Sequence, residues 1–144
     1  VWARAGAENY LLDRHHERMG IVDTMKAIEV MTAKHPEAIG KLIEDKANGS
    51  AVIEMLQKKI KGIIPVNPQG GKEVSAQAVS PLWEAGNVYL PHPLWKSYSD
   101  VILDELTAFP NAAHDDDVDS MTQALVRLDK RPAHTRRKNR TTAF

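Results

Sequence analysis

The stretch Lys41-Leu42-Ile43-Glu44-Asp45-Lys46-Ala47-Asn48-Gly49-Ser50, followed by Ile63-Ile64-Pro65-Val66, decides the fold class. Leu42–Glu44 with Lys41 is a short apolar run that reads as a buried strand. Asn48-Gly49-Ser50 then opens a helix, with Val52, Ile53, Leu56 and Ile60 facing inward and Gly62 as its stop. Ile63–Val66 is another short apolar run. A helix separates the two runs, so they are expected to pair in parallel.

Upstream, Val1–Ala5 reads as the end of a strand, Gly6-Ala7 as a turn and Asn9–Arg14 as a second strand, with Glu17 as an alternative end, the two forming a hairpin. Val22–Lys34 has helical spacing, with Val22, Met25, Ile28 or Ala27, and Met31 on one side, and His35-Pro36 ends it. Downstream, Asn67–Gly71 is a flexible loop, Glu73–Ala85 a helix capped by Gly86, and Val88–Leu90 a short strand before Pro91. Leu94–Leu106 is amphipathic, with Val101, Ile102 and Leu106 inward, and Pro110-Asn111 breaks it. A last helix is expected over Asp115–Leu128. No internal repeat is seen. This order argues for an α/β fold with a mixed sheet.

At 144 residues the chain suits one domain with a single core. It has no run of about 18 apolar residues to span a membrane. No signal peptide is expected, because Val1-Trp2-Ala3-Arg4 lacks a charged region followed by an apolar one. The lack of cysteine excludes disulfides and thiolate metal sites, and agrees with a reducing compartment. A formal net charge of zero hides a division. Lys130, Arg131, Arg136, Arg137, Lys138 and Arg140 form a basic tail, whereas Asp100–Asp119 holds acidic residues and no Lys or Arg. A basic tail beside an acidic pocket suits a metal-dependent nuclease; the plain alternative is a polar, disordered terminus.

Four carboxylates crowd His114-Asp115-Asp116-Asp117-Val118-Asp119 at the head of the last helix. At about 100° per residue, Val118, Met121, Leu125 and Leu128 make one apolar stripe. Asp115, Asp116 and Asp119 fall on the flank beside it and Asp117 on the other. Asp116 and Asp119 are therefore expected to point to one place at the core's edge. The alternative is an acidic helix start favoured by the helix dipole. A second acidic pair, Glu44-Asp45, closes a strand, where functional groups gather in parallel α/β sheets. Asp45 alternatively serves as a helix-start residue bonding free N–H groups. Jointly, the two acidic places would suit Mg²⁺ or Mn²⁺, since hard oxygen ligands select such ions. Two ions about 3.5–4 Å apart would support phosphodiester hydrolysis. The spacing is not an EF-hand, and there is no P-loop or GxGxxG.

His114 reads either as a neighbour of the metal or as a helix-start residue bonded to backbone. His15, His16 and His35 lack metal-ligand spacing and read as surface residues. Trp83 and Trp95 read as packing residues. Lys58, Lys59, Lys61 and Lys72 read as DNA-backbone contacts or a solvated face, Lys72 following Gly70-Gly71.

Leu42-Ile43-Glu44-Asp45-Lys46-Ala47-Asn48-Gly49, Glu84-Ala85-Gly86-Asn87-Val88-Tyr89-Leu90-Pro91, Phe109-Pro110-Asn111 and His114-Asp115-Asp116-Asp117-Val118-Asp119-Ser120-Met121 resemble, in order, the C-terminal nuclease domain of phage terminase large subunits. Tyr10-Leu11-Leu12-Asp13 is similar to that family's third strand, and Val1–Ala5 to its second. The resemblance implies an RNase H-like α/β fold, a mixed sheet flanked by helices. It implies a metal-dependent endonuclease that cuts concatemeric viral DNA during genome packaging in the cytoplasm of an infected or lysogenic bacterial host. It divides the chain into a nuclease domain, residues 1–129, and a basic tail, residues 130–144. Its second acidic position falls on Glu44 or Asp45, and its third on Asp116 and Asp119, with Asp117 also a metal-ligand candidate. Two Mg²⁺ or Mn²⁺ ions are implied in the intact site. Lys72, Arg131, Arg136, Arg137 and Lys138 are the expected DNA contacts. The implied partners are double-stranded DNA, an ATPase domain, the small terminase subunit and the portal, with no membrane. The family's first strand, with its Asp, is expected before Val1, so this chain is expected to bind metal weakly and cut poorly. The rivals are another RNase H-like nuclease of resolvase or transposase type, and a non-catalytic DNA- or protein-binding module.

Overall fold

The computed structural model describes residues 1–46, 49–67 and 70–130. Its N-terminal hairpin pairs β1 (Trp2–Ala5) with β2 (Glu8–Leu11) antiparallel, in the register Trp2↔Leu11 to Ala5↔Glu8. The turn falls at Gly6-Ala7, as its sequence dictates. β2 ends at Leu11, short of the expected Arg14: the Leu12 N–H still meets its facing residue, donating to the Val1 carbonyl at 2.9 Å, but the Asp13 N–H shares that same acceptor at 3.4 Å and leaves the ladder. After α1 (Ile21–Lys34) comes β3 (Lys41–Glu44), then α2 (Gly49–Gln57), then β4 (Ile63–Val66). β3 and β4 pair in parallel, Lys41↔Ile63 to Glu44↔Val66, as the intervening helix requires.

Two glycines permit this tight unit. A Cβ on Gly49 would lie 1.8 Å from the Glu44 carbonyl oxygen, so α2 can begin against the end of β3 only without a side chain there. Gly62 has φ +83°, and a Cβ on it would lie 1.9 Å from the Ile39 carbonyl oxygen. Val52, Ile53 and Leu56 of α2 are buried, whereas Ile60, expected on the same helix, lies past its end and is half-buried.

The second half of the chain runs through α3 (Gly71–Glu84), β5 (Val88–Tyr89), α4 (Tyr98–Ala108) and α5 (Asp116–Asp129). β5 joins β2 in parallel, and Tyr10 stacks on its register partner Tyr89 with ring centroids 5.0 Å apart. The described strands thus form a mixed three-stranded sheet, β1-β2-β5, and a separate parallel pair, β3-β4. Where one mixed sheet was expected, no hydrogen-bonded strand joins the two among the described residues.

The core lies between α5, α3 and β1. Val118, Met121 and Leu125 of α5 are buried as their spacing requires, whereas Leu128 is only half-buried. Val79, Met121 and Leu125 are packed by Trp2, Leu82, Trp83, Val88, Leu106 and Val126. Burying a side chain such as Leu125 or Leu56 stabilises the fold by about 1.5–3 kcal/mol. The stripes predicted on α1 and α4 fare less well. No residue of α1 is fully buried, and Val22 is exposed. On α4, Ile102 is buried but Val101 is exposed. That helix starts at Tyr98, so Leu94 and Trp95 sit on the preceding loop, 88% and 81% exposed. Trp83 packs as expected; Trp95 does not, because the proline-framed segment Pro91-His92-Pro93 carries it away from the core. No helix of the described residues is long and apolar enough to cross a membrane.

Candidate functional site

The head of α5 is where the chain concentrates charge. A helix start leaves free N–H groups and a partial positive charge, which suits carboxylates. Glu105 of α4 takes one of these donors: its Oε1 accepts the Val118 N–H at 2.9 Å. Asp115, at the cap position, makes no side-chain cap bond. Its Oδ1 instead accepts from Lys72 Nζ at 2.6 Å, and the same ammonium lies 3.0 Å from Asp119 Oδ2. The two carboxylates, one helical turn apart, thus converge on one cation. Their hydrogen bonds, Asp115 first, raise the Lys72 ammonium above its ordinary pKa.

Asp117 is the buried member of the run, 9% exposed. Arg14 holds it by a two-pronged contact, Nε to Oδ1 at 2.8 Å and a terminal nitrogen to Oδ2 at 2.5 Å. This pairing raises the Arg14 pKa against the opposing effect of burial. His16 adds to the cluster, its Nδ1 2.7 Å from Arg14 and 3.7 Å from Asp117. Asp116 is exposed, and no hydrogen bond or ion pair reaches its carboxylate among the described residues. The carboxylates that share a cation are therefore Asp115 and Asp119, where the helical-wheel reading favoured Asp116 and Asp119. Asp117 turns inward because Arg14, more than a hundred residues away in sequence, satisfies it there.

Asp13, just past β2, forms the neighbouring charged cluster. It accepts from Lys34 Nζ at 2.6 Å, His35 Nε2 at 2.8 Å and the Arg14 N–H at 3.0 Å. Burial alone would raise its carboxyl; those three donors overcome it and hold the group well below the usual carboxylate range. Next to it, burial pushes the Tyr98 phenol up, and its hydroxyl has no partner among the described residues. His35, read from sequence as a surface residue, is half-buried here. Asp13, Arg14 and His35 escaped the motif reading. The one available signal was an Asp-Arg pair directly after an apolar strand.

Glu44 ends β3 and Asp45 follows it, as expected. Glu44 pairs with Lys46 Nζ at 2.7 Å. Asp45 is exposed and accepts the Ser50 hydroxyl, while its own N–H donates to the Val66 carbonyl at 2.8 Å. Its carboxylate thus meets a helix-start side chain, and no bond from a free helix N–H to it is seen among the described residues. No group of three or more His, Asp or Glu side chains is arranged to hold a metal among the described residues. Glu44 and Asp45 therefore do not join Asp115 and Asp119 in one such group. Lys72, expected on DNA, is engaged with carboxylates, and His114 is exposed. Lys58, Lys59 and Lys61 lie on an exposed face, with Lys59 paired to Glu29 at 3.3 Å. Arg131, Arg136, Arg137 and Lys138 lie outside the described residues.

The carboxylates at α5 are hard oxygen donors of the kind Mg²⁺ takes, but they do not converge as a group of three among the described residues. Mg²⁺ commonly takes one or two carboxylates and keeps waters, and Asp115 and Asp119 already share one cation. No match is found among curated proteins or among solved structures. The family model described as the terminase RNaseH-like domain matches residues 1–128. The α/β architecture of the described residues, a mixed sheet with five helices, agrees with that RNase H-like fold. The chain therefore belongs to the terminase RNaseH-like domain family.

Proposed function

We propose that this chain is the DNA endonuclease domain of a viral genome-packaging terminase large subunit, cutting concatemeric double-stranded DNA by metal-dependent phosphodiester hydrolysis. Family membership supports a nuclease. The observation that carries the site assignment is the convergence of Asp115 and Asp119 on one cation at the head of α5. Asp119 and Asp116, with Glu44 or Asp45, would hold Mg²⁺ or Mn²⁺, two ions in the intact site, and Asp115 joins that set on its geometry. When bound, such ions polarise the phosphate and lower the pKa of a water. The chain's own residues orient the site: Arg14 fixes Asp117 and with it the first turn of α5, and Glu105 closes the helix start. Arg131, Arg136, Arg137 and Lys138 would contact the DNA backbone. The partners would be an ATPase domain, the small subunit and the portal, in the cytoplasm of the bacterial host.

One observation favours a second reading, a non-catalytic DNA-binding member of the same fold: among the described residues the acidic places do not form a three-donor group. Nicking of supercoiled plasmid by the full-length polypeptide carrying this domain separates them. Mn²⁺-dependent nicking is expected, with D119N lowering the rate at least about 100-fold, the scale of losing a group essential to the reaction. Nicking that persists in EDTA, or that D119N leaves intact, overturns the proposal.

A further inference from the structure

We infer that the turn Pro91–Lys96 and the cavity beside it form a binding site for single-stranded DNA, one base entering the cavity and a neighbouring base stacking on Trp95. The inference takes only its choice of DNA from the nuclease reading above. None of its residues belongs to the head of α5, and it needs no metal.

Trp95 is held out, not left loose. Burying an aromatic ring is among the larger gains in folding, yet this one is 81% exposed. Its turn is well bonded. The His92 carbonyl accepts the Trp95 N–H at 2.8 Å and the Lys96 N–H at 3.1 Å, and the Leu94 N–H donates to His92 Nδ1 at 3.2 Å. Pro91 and Pro93 fix the backbone on either side of His92. A ring presented in this way loses little freedom when a base stacks on it, so more of the stacking energy goes to binding.

His92 joins this ring to the cavity: its own ring lies 6.3 Å from that of Trp95 and also lines the cavity wall. The cavity measures about 360 Å³, within the range of small-molecule sites, and Trp83, Val88, Leu90 and Leu103 give it an apolar lining. Ser99 also lines it. That residue is 1% exposed, and its hydroxyl has no hydrogen-bond partner among the described residues. A buried hydroxyl without a partner is costly, so it marks where the polar edge of a ligand is wanted. Lys96, next to Trp95, is exposed and makes no ion pair among the described residues, which leaves its charge for a phosphate. The α4 carboxylates Asp100 and Asp104 are each one position past Ser99 and Leu103, about 100° around the helix, and are exposed. An apolar cavity with one polar contact, an exposed ring and a free cation together fit a strand whose bases are unpaired. An apolar side chain of a partner protein would fill the cavity but leave the Ser99 hydroxyl unmet.

The test measures binding of fluorescent oligo(dT) by anisotropy, in EDTA, to the full-length polypeptide carrying this domain. W95A is expected to weaken binding about 5- to 100-fold, the scale of losing one base–aromatic stack, and W95F to recover most of it. S99A is expected to weaken it about 2- to 10-fold, the scale of one hydrogen bond. A strand of the same length without bases is expected to bind wild type and W95A alike. A strand carrying 5-iododeoxyuridine is expected to crosslink to Trp95 on irradiation, read by mass spectrometry. If W95A leaves oligo(dT) binding unchanged, or the baseless strand binds wild type as tightly as oligo(dT), the proposal is wrong. Metal-dependent nicking together with unchanged oligo(dT) binding by W95A sinks this site alone. Loss of oligo(dT) binding in W95A without any nicking by wild type sinks the nuclease reading and leaves this site standing.

Discussion

Arg14 and Lys72 both reach the first turn of α5, each from a distant part of the chain, and they meet carboxylates two to four residues apart. Arg14 is nearly out of water and grips Asp117 bidentately; Lys72 is half in water and touches Asp115 and Asp119 as a point charge. The contrast shows how one acidic run serves two purposes. A carboxylate already removed from water cannot lose its partner without leaving a buried charge, so that pair is structural. A carboxylate still in water can change partners at little cost, so that pair is available for chemistry.

The comparison is broken most severely at Asp117. D117A leaves the Arg14 guanidinium without its partner and is expected to destabilise the fold by about 3 kcal/mol, lowering the melting temperature by about 6–12 °C. The double variant R14M/D117M is expected to lose less than D117A alone, since neither charge remains. Equal or greater loss in the double variant, measured by chemical denaturation, would show that the pair is not what anchors the helix.

A smaller effect is expected at Asp13, the carboxylate whose backbone partner is Arg14 itself. Its folded pKa is depressed, so its contribution is fully present above the unfolded value of about 3.9 and is lost as the pH falls below it. The stability gap between wild type and D13N is therefore expected to narrow as the pH drops from 5 to 3. A gap that widens in acid contradicts the assignment. The smallest effect is expected at Lys72. K72Q is expected to change stability by no more than about 1 kcal/mol, and the change is expected to shrink in about 1 M salt, where charges are screened within about 3 Å. A loss as large as that of D117A would erase the distinction between the two cations.

Much of this arrangement was legible in the sequence. The hairpin around Gly6-Ala7, the parallel pair on either side of α2 and the buried stripe Val118, Met121 and Leu125 all follow local rules: turn chemistry, a crossover helix and helical period. The same rules placed Asp115 beside Asp119. They misjudged Val22, Val101 and Trp95, because periodicity names a helix's apolar side but not whether anything packs on it. They also inverted Asp116 and Asp117, whose orientation is set by Arg14.

The sequence by itself determined the element order, the α/β class and the crowding of carboxylates on one helix head, since each depends on residues close together in the chain. Only the tertiary structure decided which carboxylate is buried, which two share a cation and which cation each receives. Those choices join residues from the segment just past β2, the start of α3 and the head of α5. Pairings at such separation depend on how packed elements bring side chains together and how far they shut out water, which no local pattern of residues specifies.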